Sequence, residues 1–122
     1  MKRKKILIVD DEPNIVMSLE YAFRKNNFDV FVARDGTEAL QIANTKIPDA
    51  ILLDIMMPQM DGYETLTRLR ENKDLRQTKI VFLSAKNKAT QIEKGLNLGA
   101  DLYLTKPFSI KKLMTKIESL LS

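Results

Sequence analysis

Asp54 closes the apolar run Ala50 to Leu53 in the stretch AILLDIMMPQMDG, which covers positions 50–62. A short apolar run bounded by turn residues reads as a strand covered on both faces, and Asp54 stands where that strand surfaces. A carboxylate in such a place can hold an oxygen-seeking cation or attack phosphorus. Capping the next helix is the plainer task, but Asp61, beside Gly62, sits closer to the helix start and leaves Asp54 without it. A second acidic group, Asp10-Asp11-Glu12, follows the apolar run Ile6 to Val9. Ser84 follows Ile80 to Leu83, and Lys106 comes just after Leu102 to Leu104.

The chain has no histidine and no cysteine, so imidazole and thiolate chemistry are excluded and any metal must bind to oxygen. Were Asp10, Asp11 and Asp54 brought together, they would need compensation, because each like-charge pair near 4 Å costs roughly 4 kcal/mol at an effective dielectric of about 20. A proton or a cation must intervene. Oxygen ligands with one open side suit Mg²⁺, which keeps several waters. The alternative is that one of Asp10 and Asp11 caps the first helix, which would account for one aspartate and leave the other. Taken singly, Ser84 satisfies a loop amide and Lys106 pairs with an acid. Taken with the acids, they form a site for a phosphoryl group carried by Asp54, whose carboxylate is the nucleophile.

The elements that must position these groups can be read along the chain. After the strand Ile6 to Val9, Pro13 suits a first helical turn, and Ile15, Val16, Leu19, Ala22 and Phe23 recur on one face of a helix reaching about Asn26. Phe28 to Ala33 is a strand interrupted by Asp29, which places it at an edge. Gly36 opens a second helix through Ala39, Leu40 and Ala43, and Pro48 closes the connection to the Asp54 strand. Tyr63, Leu66 and Leu69 mark the third helix. Ala89, Ile92 and Leu96 mark a shorter fourth, weakened by Gly95 in its body and followed by Gly99 in a left-handed conformation. Ser109 caps a last helix carrying Ile110, Leu113, Met114, Ile117, Leu120 and Leu121.

Strands with four-residue cores alternating with helices give an α/β domain, a doubly wound five-stranded parallel sheet with five helices. Ligands in such sheets bind outside the carboxyl ends of the strands where strand order reverses, and in the order 2-1-3-4-5 the reversal falls between strands one and three. That edge carries Asp10, Asp11 and Asp54. Ser84 and Lys106 end the fourth and fifth strands on the same side.

Jointly, and in this order and spacing, IVDDE, DIMMPQMDG, FLSAK and YLTKPF resemble the receiver domain of bacterial two-component response regulators over essentially the whole chain, 1–122. The resemblance implies a flavodoxin-like receiver fold, with Asp54 as phosphoacceptor and Mg²⁺ held by Asp10, Asp11, Asp54 and the Met56 carbonyl. Ser84 is then the phosphoryl contact and Lys106 the counter-ion, with a cis bond between Lys106 and Pro107. It further implies a switch in which Ser84 moves toward the phosphoryl group and Tyr103 swings into the space vacated, changing the surface of helix four, strand five and helix five. From pattern alone Tyr103 is an ordinary half-buried strand residue. The implied partners are a histidine kinase or phosphotransfer protein upstream and, downstream, another protein or an effector domain outside this chain, with homodimerisation on activation as one form of output.

The chain of 122 residues carries Lys+Arg 20 against Asp+Glu 16, a net charge of +4. The basic tail Lys2, Arg3, Lys4 and Lys5 reads as a solvated terminus, not as a nucleic-acid site. The group Lys106, Lys111, Lys112 and Lys116, with no interleaved stacking aromatic beyond Phe108, reads mostly as solvated helix surface, a partner site being the lesser alternative. Lys111 and Lys112 nonetheless occupy a first helical turn, where the dipole prefers acids. No run approaches the roughly 20 apolar residues of a membrane span, and the expectation is a cytoplasmic domain. It is not expected to be an enzyme beyond accepting and slowly losing a phosphoryl group. The alternative is a Mg²⁺-dependent phosphohydrolase with an aspartyl-phosphate intermediate. Such enzymes commonly carry a second aspartate two residues after the nucleophile, where this chain has Met56. A flavin carrier is disfavoured, since acids end strand one where a phosphate cradle needs small residues and free amides.

Overall fold

The computed structural model describes residues 3–122, so Lys2 of the basic tail lies outside the described residues. Strands β1 (Lys5–Val9), β2 (Asp29–Ala33), β3 (Ala50–Leu53), β4 (Lys79–Ser84) and β5 (Leu102–Thr105) alternate with helices α1 (Pro13–Lys25), α2 (Gly36–Lys46), α3 (Gly62–Arg70), α4 (Ala89–Asn97) and α5 (Ile110–Leu121). A single 3-10 turn, Lys73–Leu75, lies between α3 and β4. The sheet is wholly parallel in the order β2-β1-β3-β4-β5, the doubly wound arrangement expected from the sequence.

The two faces of the sheet are covered by two apolar clusters, which is why the central strands are apolar at every position and not at alternate ones. Leu7, Ile51, Leu53, Ile80 and Phe82 face α2, α3 and α4. Ile6, Ile8, Leu52, Val81 and Leu83 face α1 and α5 through Leu19, Phe23, Leu113 and Ile117. Val9 pairs with Leu53 and Leu53 with Phe82, so β1 and β3 deliver their following residues to the same level.

Helix starts follow the chemistry of their first residues. Asp35, Asp61 and Ser109 each cap a helix, their side chains accepting the backbone N–H of Glu38, Glu64 and Lys112. Gly99 takes the left-handed conformation expected of it, at φ +113°. The fourth helix departs from expectation. Ala89 is exposed, Ile92 half-buried and Leu96 44 % exposed, while the buried residue of α4 is Gly95. The apolar spacing marked the helix and Ile92 does pack against the core, but the buried face is centred on Ile92 and Gly95 and leaves Ala89 and Leu96 outside.

Gly62 ties α3 to the end of β3. Its N–H donates to the Ile55 carbonyl at 2.9 Å, and a Cβ here would meet the Asp54 carbonyl oxygen and lie 2.7 Å from the Ile55 Cα, both backbone atoms that cannot turn aside. Gly62→Ala is therefore expected to cost about 1–3 kcal/mol in urea denaturation. The cap variant Asp61→Ala should lose about 1 kcal/mol. A Gly62→Ala protein no less stable than Asp61→Ala would contradict this packing.

Candidate functional site

The carboxyl ends of β1 and β3 lie side by side, and the residues just past them turn inward. Asp10 donates its N–H to the Ala33 carbonyl at 3.2 Å, and Asp54 donates to the Val9 carbonyl at 3.0 Å, so both are held by continuing ladder bonds. Their side chains are almost wholly buried, 3 % and 4 % exposed. The Lys106 ammonium reaches them from the end of β5, where its own N–H donates to the Ser84 carbonyl at 2.8 Å. Its Nζ lies 3.1 Å from Asp10 Oδ2, 2.9 Å from Glu12 Oε1 and 3.7 Å from Asp54 Oδ2. The peptide bond from Lys106 to Pro107 is cis.

The carboxylates that converge are Asp10, Glu12 and Asp54, with one oxygen from each within 4.8 Å of the others. Asp11 is exposed and stands outside this cluster, lining a surface cavity with Pro13, Met17 and Arg34. Neither Asp10 nor Asp11 caps α1. Glu12 is the N-cap residue and its side chain makes no cap bond, while Asp10 Oδ1 accepts the Glu12 N–H at 2.9 Å. Glu12 is the member of the cluster that reading the sequence missed. Strand alternation could not have found it, because Asp11 lies in a bend and the Glu12 N–H folds back onto the Asp10 side chain.

Burial pushes the Asp54 carboxyl up to about 6, against the attraction of Lys106 and with the added repulsion of Asp10; hydrogen bonds from the Met56 and Ile55 amides oppose the rise. The Met56 N–H lies 3.3 Å from Asp54 Oδ1, and the Met56 side chain points out, 58 % exposed. Burial alone would lower the Lys106 ammonium, but its bonds to Glu12 and Asp10 and the charge of Asp54 more than offset this and raise it. Lys106 is thus a firmly protonated cation among acids. An all-oxygen set of Asp10, Glu12 and Asp54, with Asp54 held above its usual proton affinity, is a donor set that fits a hard divalent cation.

Ser84 ends β4 fully buried, its Oγ accepting the Lys86 N–H at 3.2 Å. Tyr103 is buried rather than half-exposed, its hydroxyl donating to the Lys86 carbonyl at 2.7 Å. The β4–α4 connection therefore touches both groups through the backbone of a single residue. The Tyr103 ring continues a row of aromatics, 5.8 Å from Phe82, which lies 5.6 Å from Tyr63.

The chain is similar to known proteins in sequence and fold. The model of the response regulator receiver domain matches residues 6–118. The alkaline phosphatase synthesis transcriptional regulatory protein PhoP of Bacillus subtilis is 44 % identical over 118 residues, covering 97 % of this chain and 48 % of its own length. The probable transcriptional regulator ycf27 of Porphyridium aerugineum is 41 % identical over 121 residues, covering 99 % and 49 %. The chain thus spans about half the length of these relatives. Among solved structures, the Francisella response regulator 1452 receiver domain superposes with a TM-score of 0.90 at 39 % identity, covering 98 % of this chain and 97 % of that one. The Vibrio cholerae chemotaxis protein CheY4 does so at 0.93 and 29 % identity, covering 98 % and 100 %. The fold, the acidic edge and these likenesses agree: the chain belongs to the response regulator receiver domain family.

Proposed function

We propose that Asp54 accepts a phosphoryl group from a histidine kinase or phosphotransfer protein in the cytoplasm and thereby switches the surface formed by α4, β5 and α5. The observation that carries this reading is the meeting of buried Asp54 with Asp10 and the Lys106 ammonium at the reversal of strand order. An Asp54 oxygen attacks phosphorus, the bond from phosphorus to the donor nitrogen breaks, and that nitrogen keeps the electron pair and takes a proton. Lys106 stands where it offsets charge on the transferred group, and Ser84, at the end of β4, is the hydroxyl that contacts it. Asp10 and Asp54 would hold Mg²⁺; the family resemblance implies Asp11 and the Met56 carbonyl as further ligands, although Glu12 and not Asp11 converges with them here and is paired with Lys106. When bound, the ion neutralises negative charge shared between Asp54 and the phosphoryl oxygens.

The output passes to a downstream protein or to an effector domain outside this chain, consistent with the chain covering about half of its curated relatives. Turnover of added phosphoesters is not part of the role, since the residue two after Asp54 is Met56 and no second acid follows the nucleophile there. Ser84 and Tyr103 link site to surface, both already bonded to Lys86 at the start of the β4–α4 connection. A phosphoryl group needs only to favour one of two pre-existing arrangements of these packed groups.

Incubation with acetyl phosphate and Mg²⁺, read by intact mass, should add one phosphate to the wild type and none to Asp54→Asn; an unmodified wild type contradicts the assignment. Lys106→Met should accept phosphate roughly a hundredfold more slowly, as expected when one preorganised charge is removed from a transfer site. An unchanged rate would remove Lys106 from the chemistry.

Linkage supplies an independent check without any phosphodonor. The Asp54 carboxyl rises from 3.8 unfolded to about 6 folded, so the native state binds the extra proton and ionised Asp54 weighs against folding. The penalty is absent below pH 4, grows between pH 4 and 6, and is complete above that. In chelator, Asp54→Asn should therefore exceed the wild type by about 2–3 kcal/mol at pH 7.5, the two converging near pH 4. Denaturant melts at both pH values measure this, and a gap independent of pH would refute it.

A further inference from the structure

Helix α4 is fastened to the domain differently from its neighbours. Helices α1, α3 and α5 bury leucines, isoleucines or aromatics, whereas the buried residue of α4 is Gly95. A Cβ at Gly95 would lie 3.0 Å and 3.1 Å from the Phe82 ring and 3.1 Å from the Tyr103 ring. Bare helix backbone thus rests on two aromatic rings, one of them the ring already placed between the site and the surface. Other ties of α4 run to Tyr63, whose hydroxyl donates to the Gln91 carbonyl at 3.1 Å and whose ring carries the Lys94 ammonium 4.3 Å from its centre. Ile92, half-buried, packs against the same apolar cluster, and Gly95 meets the Phe82 and Tyr103 rings.

The neighbours differ in how far they can give. Phe82 is fully buried between the Tyr63 and Tyr103 rings and has nowhere to turn. Tyr103 lies on the edge strand β5 and is held by one hydroxyl bond to Lys86. An added methyl must therefore lift α4, turn Tyr103 outward, or both. Glycine in a helix interior is otherwise unfavourable, and here its missing side chain leaves the seat for the rings.

We propose that Gly95 is the positioning residue of the switch: α4 docks over the inward Tyr103 ring only because position 95 has no side chain, so the placement of Tyr103 and the docking of α4 are one event. This rests on the reading that phosphorylation of Asp54 acts through Tyr103, but the seat itself can be tested without phosphate. Any change at Asp54 that shifts Tyr103 is then felt along α4 and at its C-terminal end, where Leu96 and the C-cap residue Leu98 are exposed. A side chain at 95 breaks that link while leaving Asp54, Asp10 and Lys106 in place.

Gly95→Ala separates this role from simple helix weakening, because the two predict opposite signs. Helix propensity alone would make the α4 amides about fivefold more protected from hydrogen exchange in the alanine variant. The seat predicts exchange at least about tenfold faster across α4, as an overpacked contact gives. It also predicts faster nitration of Tyr103 relative to the exposed reference Tyr21, both mapped by peptide mass. The double variant Phe82→Leu/Gly95→Ala, which gives the methyl room, should regain much of the protection. With acetyl phosphate and Mg²⁺, Gly95→Ala should still take one phosphate while its α4 exchange no longer responds. Greater α4 protection in Gly95→Ala, or unchanged Tyr103 nitration, overturns the proposal. A wild type that takes no phosphate refutes the phosphoacceptor reading instead, and leaves the comparison of unphosphorylated proteins to stand or fall by itself.

Discussion

The structure turns on the burial of two carboxylates from adjacent strand ends, Asp10 and Asp54, against one ammonium. Two like charges so placed in a poorly solvated site repel, and one cation cannot fully neutralise both. The outcome is an Asp54 carboxyl with raised proton affinity and a Lys106 that does not give up its proton. A site of this kind is under-compensated. Its remaining negative charge suits a further cation. Stability is sacrificed locally so that the edge stays reactive.

The rest of the fold holds that conflict in place. Continuous apolar strands, covered on both sides, cannot slip in register without exposing core residues, so Val9, Leu53 and Phe82 fix the depth at which the acids emerge. Gly62 locks the turn after Asp54 by resting on its carbonyl and on the Ile55 backbone. On the same face of the sheet, toward its β5 edge, α4 is fastened differently and lies on aromatic rings through a glycine. A stiff site beside a lightly fastened helix is a workable layout for passing a local change of charge outward as a movement of packed groups.

Most of this was legible in the residues. Four-residue apolar cores ending in Asp10, Asp54, Ser84 and Lys106 predicted a parallel sheet with chemistry along one edge, and strand order, the caps at Asp61 and Ser109 and the left-handed Gly99 all appear in the structure. What escaped was set by tertiary geometry. The acids that converge include Glu12 and leave Asp11 outside, which depends on the bend at Asp11 leading into α1. The inner face of α4 carries Ile92, as its spacing predicted, but next to it Gly95 and not Ala89 or Leu96, because apolar spacing does not say that an aromatic row lies beneath. Tyr103 looked half-exposed since its burial comes from α4 and from Lys86, both distant from strand alternation.

The most direct test of this balance is the titration of the Asp54 carboxyl carbon by NMR in metal-free protein, repeated with excess Mg²⁺. The account predicts a midpoint near 6 without metal and a clear fall when the ion is added. A midpoint at the ordinary value of 3.8, unmoved by Mg²⁺, would contradict it.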